Sequence, residues 1–244
     1  MSLPRSVMAE TLDSLAADDP QAQRSRRDLR RIHRVIGSRA IVARGWCAFW
    51  PGRPPAKPLR VLELGAGDGT LLLAVARSLA SDWPDVQLTL LDRQHLVRAD
   101  TVAAYAELGW QVQVQVMDVL HWMQSISPTP TDPQTWDLIV CSLFLHHFEG
   151  PQLDALLQAI AACCMRFFAV EPRRARLALV GSHLVGLIGA NAVTREDAVL
   201  SVRAGFRGQE VSQRWPGRKG HWLCREYTAG LFSHCFSAQR TGLR

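Results

Sequence analysis

The stretch Val61-Leu62-Glu63-Leu64-Gly65-Ala66-Gly67-Asp68-Gly69-Thr70 decides how the rest of the chain is read. Apolar residues run as a strand straight into three glycines at alternate positions. Glycines lack Cβ, so such a loop can take positive φ angles and lie against a ligand while the next helix aims its free N–H groups at the same place. Glu63 stands two residues before the first glycine, giving E-x-G-x-G-x-G. Thr70 occupies the position where a dinucleotide fingerprint, G-x-G-x-x-G, needs its last glycine, so the spacing disfavours NAD.

Working outward, the segment 71–79 continues as an apolar helix, and 86–91 reads as a strand that terminates at Asp92. This is a βαβ unit. A helix is predicted over 94–108. Residues 111–116 then alternate Gln and Val, as an edge strand with one wet face should. The loop 125–135, with Pro128, Pro130 and Pro133, excludes regular structure. Further strands are predicted at 138–143 and 166–170, with a helix at 153–160 between them. Thr194-x-x-Asp197 reads as a capping box opening a helix through Ala204. Strands at about 222–227 and 231–236 form a terminal hairpin around Ala229-Gly230. Ahead of the sheet, 26–50 reads as two helices broken near Gly37, with Leu29, Ile32 and Ile36 on one face. Pro51, Pro54, Pro55 and Pro58 make a stiff linker.

These 244 residues, 48% hydrophobic and 20% charged, fit one α/β domain with an appendage. The net charge of +6 is nearly all arginine, since Lys57 and Lys219 are the only lysines. It is spread along the chain, which argues against a nucleic-acid footprint. Six cysteines lack zinc-type spacing and read as reduced, mostly buried thiols, and no metal site is expected. The acid-bearing N-terminus lacks a secretory pattern, which places the protein in the cytoplasm. The apolar run 177–193 is interrupted by Ser182, His183 and glycines. It suits a helix lining a greasy pocket better than a membrane span.

The glycine segment resembles the first motif of class I S-adenosylmethionine (SAM)-dependent methyltransferases. That resemblance implies a Rossmann-like, seven-stranded methyltransferase fold, mostly parallel with a terminal antiparallel hairpin, and SAM as cofactor, leaving S-adenosylhomocysteine (SAH). It divides the chain into an N-terminal helical lid, residues 1–55, and a methyltransferase domain, 56–244, with a helical insertion at about 173–205. Glu63, Gly65, Ala66, Gly67 and Gly69 would form the cofactor loop. Asp92 sits at the end of the second strand, where a carboxylate accepts both ribose hydroxyls, with Arg93 beside it. Asp118 would accept from the adenine amino group and Val119 would offer its N–H. Cys141 and Ser142, leaving the fourth strand, complete the cofactor set.

The L-H-H pattern of Cys141-Ser142-Leu143-Phe144-Leu145-His146-His147-Phe148 resembles the loop of quinone-methylating and related small-molecule methyltransferases, and the segments 191–198 and 229–234 look similar to bacterial methyltransferases associated with polyketide and phenolic-lipid pathways. Methyl transfer from a sulfonium is an in-line displacement, so the protein aligns the nucleophile and, for a phenol, removes its proton. With phenol near pKa about 10 and histidine near about 6.5, His147 or His146 is the candidate base. As adjacent residues the two should point in different directions. His183, Asn191 and Arg203 are candidate polar groups of the acceptor pocket.

The acceptor implied is a small, largely apolar molecule, with membrane contact at most peripheral. Two alternatives stand beside this reading. A nucleic-acid methyltransferase would share the cofactor half, but the D/N-P-P-Y/F tetrapeptide of enzymes acting on base amines is replaced here by Cys141-Ser142-Leu143-Phe144. A noncatalytic binding module could keep the fold, though it would have no need of Glu63, the glycines, Asp92 and Asp118 together.

Overall fold

The computed structural model describes residues 3–52, 58–79, 83, 85–126, 135–217 and 220–242. Pro54, Pro55, Pro128, Pro130 and Pro133 lie outside them. Before the sheet come α1 (Thr11–Ser14), α2 (Pro20–Ile36) and α3 (Ser38–Cys47). The break between α2 and α3 is Gly37, whose φ of 74° closes one helix and opens the next. Strands β1 (Leu59–Leu64), β2 (Val86–Asp92) and β3 (Gln111–Val116) alternate with α4 (Thr70–Leu79) and α5 (Ala99–Ala106). Next come α6 (Val119–Ser125), β4 (Leu138–Ser142), α7 (Gly150–Cys163) and β5 (Arg166–Pro172), then α8 (Arg176–His183) and α9 (Ala192–Ala204). The antiparallel pair β6 (Trp222–Ala229) and β7 (Ser233–Arg240) ends the fold.

The strands form one sheet in the order β3-β2-β1-β4-β5-β7-β6, in which β7 runs against the others. This is the Rossmann-like methyltransferase fold. The order reverses between β1 and β4, which opens a crevice at their carboxyl ends.

Both faces of the central strands are buried, so they read as continuous apolar runs whose side chains divide by parity. From β1 and β5, Leu59, Val61, Phe168 and Val170 join the core under α3 and α4. Leu62, Leu64, Phe167 and Ala169 join the core under α7 with Trp215. Glu63 falls on the first of these sides, an acid at an otherwise apolar parity.

Five features depart from the sequence reading. The helix expected from residue 94 begins at Ala99, because Asp92 Oδ1 accepts from Gln94 N (2.9 Å) and turns the chain into a loop. The capping box is not formed. Asn191 caps α9 by accepting from Thr194 N (2.8 Å), while Asp197 reaches outside its helix to accept from Thr11 N and Leu12 N (2.8 and 2.9 Å). The apolar run 177–193 is divided between α8, a 3-10 turn (Val185–Ile188) and the start of α9, with Gly189 at φ 82° closing the turn. On α2 the fully buried residues are Ala22, Ser25 and Asp28. Leu29, Ile32 and Ile36 are only half-buried, because α9 covers the polar side. The hairpin strands also run further than expected, through Ala229 and Arg240, around a turn at Gly230.

Candidate active site

At the carboxyl ends of β1, β2 and β4 lies a cavity of about 670 Å³. Its floor is the glycine loop. Gly65 and Gly67 take φ of 67° and 56°, the left-handed region that favours glycine. A Cβ on Gly65 would lie 2.3 Å from the Phe144 ring, whereas one on Gly67 would meet no protein atom within 4 Å. The Gly67 backbone thus leaves clear space beside it. Ala66 N donates to Leu91 O (3.0 Å) and Gly67 N to Asp92 Oδ2 (2.9 Å), which tie the loop to β2.

Carboxylates dominate this floor. Glu63 is buried, and its Oε2 has no hydrogen-bond partner. Burial first, then the charges of Asp68 and Asp92, push its pKa well above the usual carboxylate range. Asp92 spends one lone pair of each oxygen on Gly67 N and Gln94 N, leaving acceptor capacity toward the cavity. Asp118 caps α6 by accepting from Leu120 N (2.8 Å) and also lines the cavity. Among the described residues no arginine or lysine pairs with Glu63, Asp92 or Asp118. The wall arginines are engaged elsewhere: Arg30 with Asp68 (2.5 Å), Arg26 with Gln94 (2.9 Å) and Arg93 with Asp13 (3.4 Å).

The opposite wall is built from β4, β5 and the N-terminal segment. Leu143 has φ 54°, unusual for a side-chain-bearing residue. It is held by Leu143 N donating to Val170 O (2.9 Å), and it swings the 3-10 turn Leu145–His147 over the crevice. Glu171, buried at the end of β5, accepts from the backbone N–H groups of Phe144, Leu145 and His146 (2.9–3.3 Å) and from His146 Nδ1 (2.8 Å). His146 Nε2 faces Glu10 Oε1 at 3.2 Å, and Glu10 also accepts from Ser201. Burial alone would lower the pKa of His146, but hydrogen bonds to Glu10 and Glu171 and their charges outweigh it and carry the imidazole up to about 9. It is an imidazolium at neutral pH.

His147 differs. Burial, then the positive charge on His146, lower its pKa against the opposing carboxylates of Glu10, Asp13 and Glu171. Its Nδ1 lies 3.3 Å from Asp13 Oδ2. The two rings do not point apart as expected. Their centroids lie 4.2 Å apart with 34° between planes, a tilted contact. Ligand atoms of Glu10, His146 and His147 lie within 4.8 Å of one another, close enough to hold a metal ion. Both nitrogens of His146 face carboxylates, Glu171 at Nδ1 and Glu10 at Nε2.

Of the residues singled out from sequence, Glu63, Gly65, Ala66, Gly67, Asp92, Arg93, Asp118, Val119, Ser142, His146 and His147 line the cavity. Cys141 and Gly69 do not. Cys141 is fully buried with Sγ toward Glu171 (3.9 Å), its side chain on the α7 side of β4. Gly69 lies behind the loop, where its carbonyl accepts from Tyr105 OH (2.8 Å). His183, Asn191 and Arg203 are also away from the cavity: His183 and Arg203 are exposed, and Asn191 is a helix cap. Glu10, Asp13, Arg26, Arg30 and His33 line it without having been anticipated.

Residues 61–166 match the protein family described as Methyltransferase domain. The matched segment contains the glycine loop, Asp92, Asp118 and both histidines. No curated protein matches the chain in sequence. Among solved structures it is similar to the plantazolicin methyltransferase BpumL in complex with SAH, at 13% identity and a TM-score of 0.61, covering 91% of each chain. The plantazolicin methyltransferase BamL, with SAH and a desmethylplantazolicin analogue, gives 15% and 0.60, over 94% of this chain and 93% of that one. Magnesium protoporphyrin IX methyltransferase from Synechocystis PCC 6803 with SAH gives 14% and 0.51, over 84% and 83%. At these identities the likeness establishes the fold.

Proposed function

We propose that this chain is a SAM-dependent methyltransferase acting on a small, largely apolar acceptor at a phenolic or enolic oxygen or an activated ring carbon. Quinone, polyketide or phenolic-lipid metabolism is the setting we favour, in the cytoplasm. The observation that carries the reading is the cavity floor: a glycine cradle open at Gly67, ringed by Glu63, Asp92 and Asp118, which form no ion pair with an arginine or lysine among the described residues. Such a floor suits a ligand that is itself cationic and rich in donors, and it repels a pyrophosphate. SAM meets both conditions, and when bound it supplies a methyl group made electrophilic by a sulfonium. The methyltransferase match over 61–166 supports the same ligand. Asp92 would accept from the ribose, Asp118 and Val119 would receive the adenine, and Glu63 would face the ammonium end, which would complete its unpartnered oxygen.

His147 is the base we assign. His146 already carries its proton, whereas burial and the charge on His146 lower the pKa of His147, whose Nδ1 lies 3.3 Å from Asp13 Oδ2, and we assign its Nε2 as the atom that takes a proton from the acceptor. Residues 7–10 and 12–14 of the N-terminal segment and Leu29 of α2 form the cover of the cavity and supply much of its apolar wall, in keeping with a lid over residues 1–55. The decisive test is calorimetry with SAM and SAH, followed by product mass spectrometry with labelled SAM and a panel of phenols, quinones and polyketides. Binding of SAH at micromolar strength with transfer to a phenol is expected. Absence of SAH binding by folded protein overturns the proposal.

A further inference from the structure

The run 177–193 remains unexplained by the cavity, since none of its residues reaches it. Leu177, Val180, Leu184, Leu187 and Ile188 are 53, 56, 50, 83 and 38% exposed. The spacing of Leu177, Val180 and Leu184 puts them on one face of α8, and Leu187 and Ile188 extend the exposed apolar surface into the 3-10 turn that follows directly. Single exposed leucines are ordinary, but a contiguous set marks an interaction surface.

A second stripe runs beside it. On α2 the arginines at 24, 27, 31 and 34, spaced three, four and three apart, are all exposed. They lie on the side of the helix opposite Leu29 and His33, which face the cavity. The stripes adjoin, because Arg31 Nη1 comes 3.9 Å from where a Cβ on Gly189 would stand. Their relative position is fixed through α9: Asn191 N donates to Asp28 Oδ2 (2.9 Å), and Asn191 Nδ2 to Ser25 Oγ (3.0 Å). Asp28 is buried and pairs with Arg31 (2.8 Å), and Glu196 is the exposed acid at the start of α9. Arg176 and Arg195 flank the apolar stripe and are exposed as well.

We propose that the joint face of α8, its 3-10 turn and the outer side of α2 docks the protein on an anionic lipid bilayer, with the leucine stripe entering the interface and the arginines meeting the headgroups. Apolar side chains bordered by cations are what such an interface selects. Nucleic acid has no use for the five aliphatic residues. Symmetric pairing with a second copy would bring the arginine stripes of both copies into one interface, where like charges oppose association. Among the described residues no helix is long and apolar enough to cross a membrane, so contact here is along the surface. The inference stands independently of the methyl-transfer chemistry.

The test is co-sedimentation of the full chain with phosphatidylcholine vesicles and with vesicles containing about 30% phosphatidylglycerol. Binding to the anionic vesicles at least about tenfold tighter is expected, weakening as salt rises. The double variant L184D/L187D should lose at least about tenfold of that binding. R27E/R34E should abolish the preference for phosphatidylglycerol. All of these positions are exposed and outside the cavity, so unchanged melting temperature and SAH affinity show that the variants are folded and the cofactor site intact. No binding to anionic vesicles overturns the proposal. So does binding that L184D/L187D leaves unchanged, or a dimer in sedimentation that L184D/L187D dissolves.

Discussion

Two histidines adjacent in sequence are shifted in opposite directions by their surroundings. His146 sits between Glu171 and Glu10, which raise its pKa, whereas burial, then the charge on His146, lower that of His147. The folded pKa of His146, about 9, lies above its unfolded value of 6.5. Its stabilising contribution is therefore complete below pH 6.5 and is lost as pH rises through 9, a difference on the order of 3 kcal/mol by linkage. Chemical denaturation from pH 6 to 9.5 should show the parent losing stability while His146→Gln, already weaker at pH 6, stays flatter; parallel curves would remove the imidazolium. For His147→Ala, turnover should fall steeply with SAH affinity retained. Asp13→Asn should lower kcat and move the acid limb of the pH-rate profile to lower pH, because a nearby negative charge that holds the proton on His147 is gone. An unchanged limb would show that Asp13 does not bear on the base. Asp92→Ala removes charge-assisted bonds worth about 1.5–3 kcal/mol, so SAH should bind roughly 10- to 150-fold more weakly by calorimetry.

At the scale of elements, the N-terminal segment is held down by carboxylates borrowed from the body of the fold. Asp197, in the interior of α9, serves as a remote cap for α1 through Thr11 N and Leu12 N. Arg5 donates to the carbonyls of Ala204 and Phe148 (2.7 and 2.9 Å), bracketing the histidine turn from the other side. A four-residue helix has no stability of its own, so the geometry of Glu10 and Asp13 depends on these anchors. Asp197→Ala should cost about 0.5–2 kcal/mol, the range for a lost cap, and its effect should be local. Hydrogen exchange is expected to speed up at residues 5–14 and to leave β1 and β4 unchanged. Uniform acceleration across the sheet would instead mean that Asp197 supports the global fold.

For the whole molecule, what could be read from sequence follows the range of the interactions involved. The sheet was legible because strand parity and glycine spacing are local: 61–70 announces the switch point, and the Gln/Val alternation at 111–116 announces an edge. The acidic floor was legible for the same reason, since Glu63 and Asp92 stand at fixed offsets from strand ends. The far wall was not, because Glu10 meets His146 across 136 positions and nothing in 1–20 marks a partner. The apolar run at 177–193 was misplaced because hydrophobicity alone cannot say whether a face meets a cavity or the surroundings. A cofactor bound only by the assembled cavity couples all these parts to global stability. At SAH about 100 times its dissociation constant the folded state gains about 2.7 kcal/mol. For a chain of this size that corresponds to a rise in Tm of roughly 5–10 °C. NAD should give no rise, because Thr70 and the carboxylates of the floor oppose its pyrophosphate. Asp92→Ala, weakening SAH by the loss of bonds worth about 1.5–3 kcal/mol, should reduce the gain at the same concentration to about 0.3–1.3 kcal/mol, removing half or more of the shift. A scanning calorimetry series with the two ligands and the two proteins decides it, and a comparable shift with NAD would reassign the cavity to a dinucleotide.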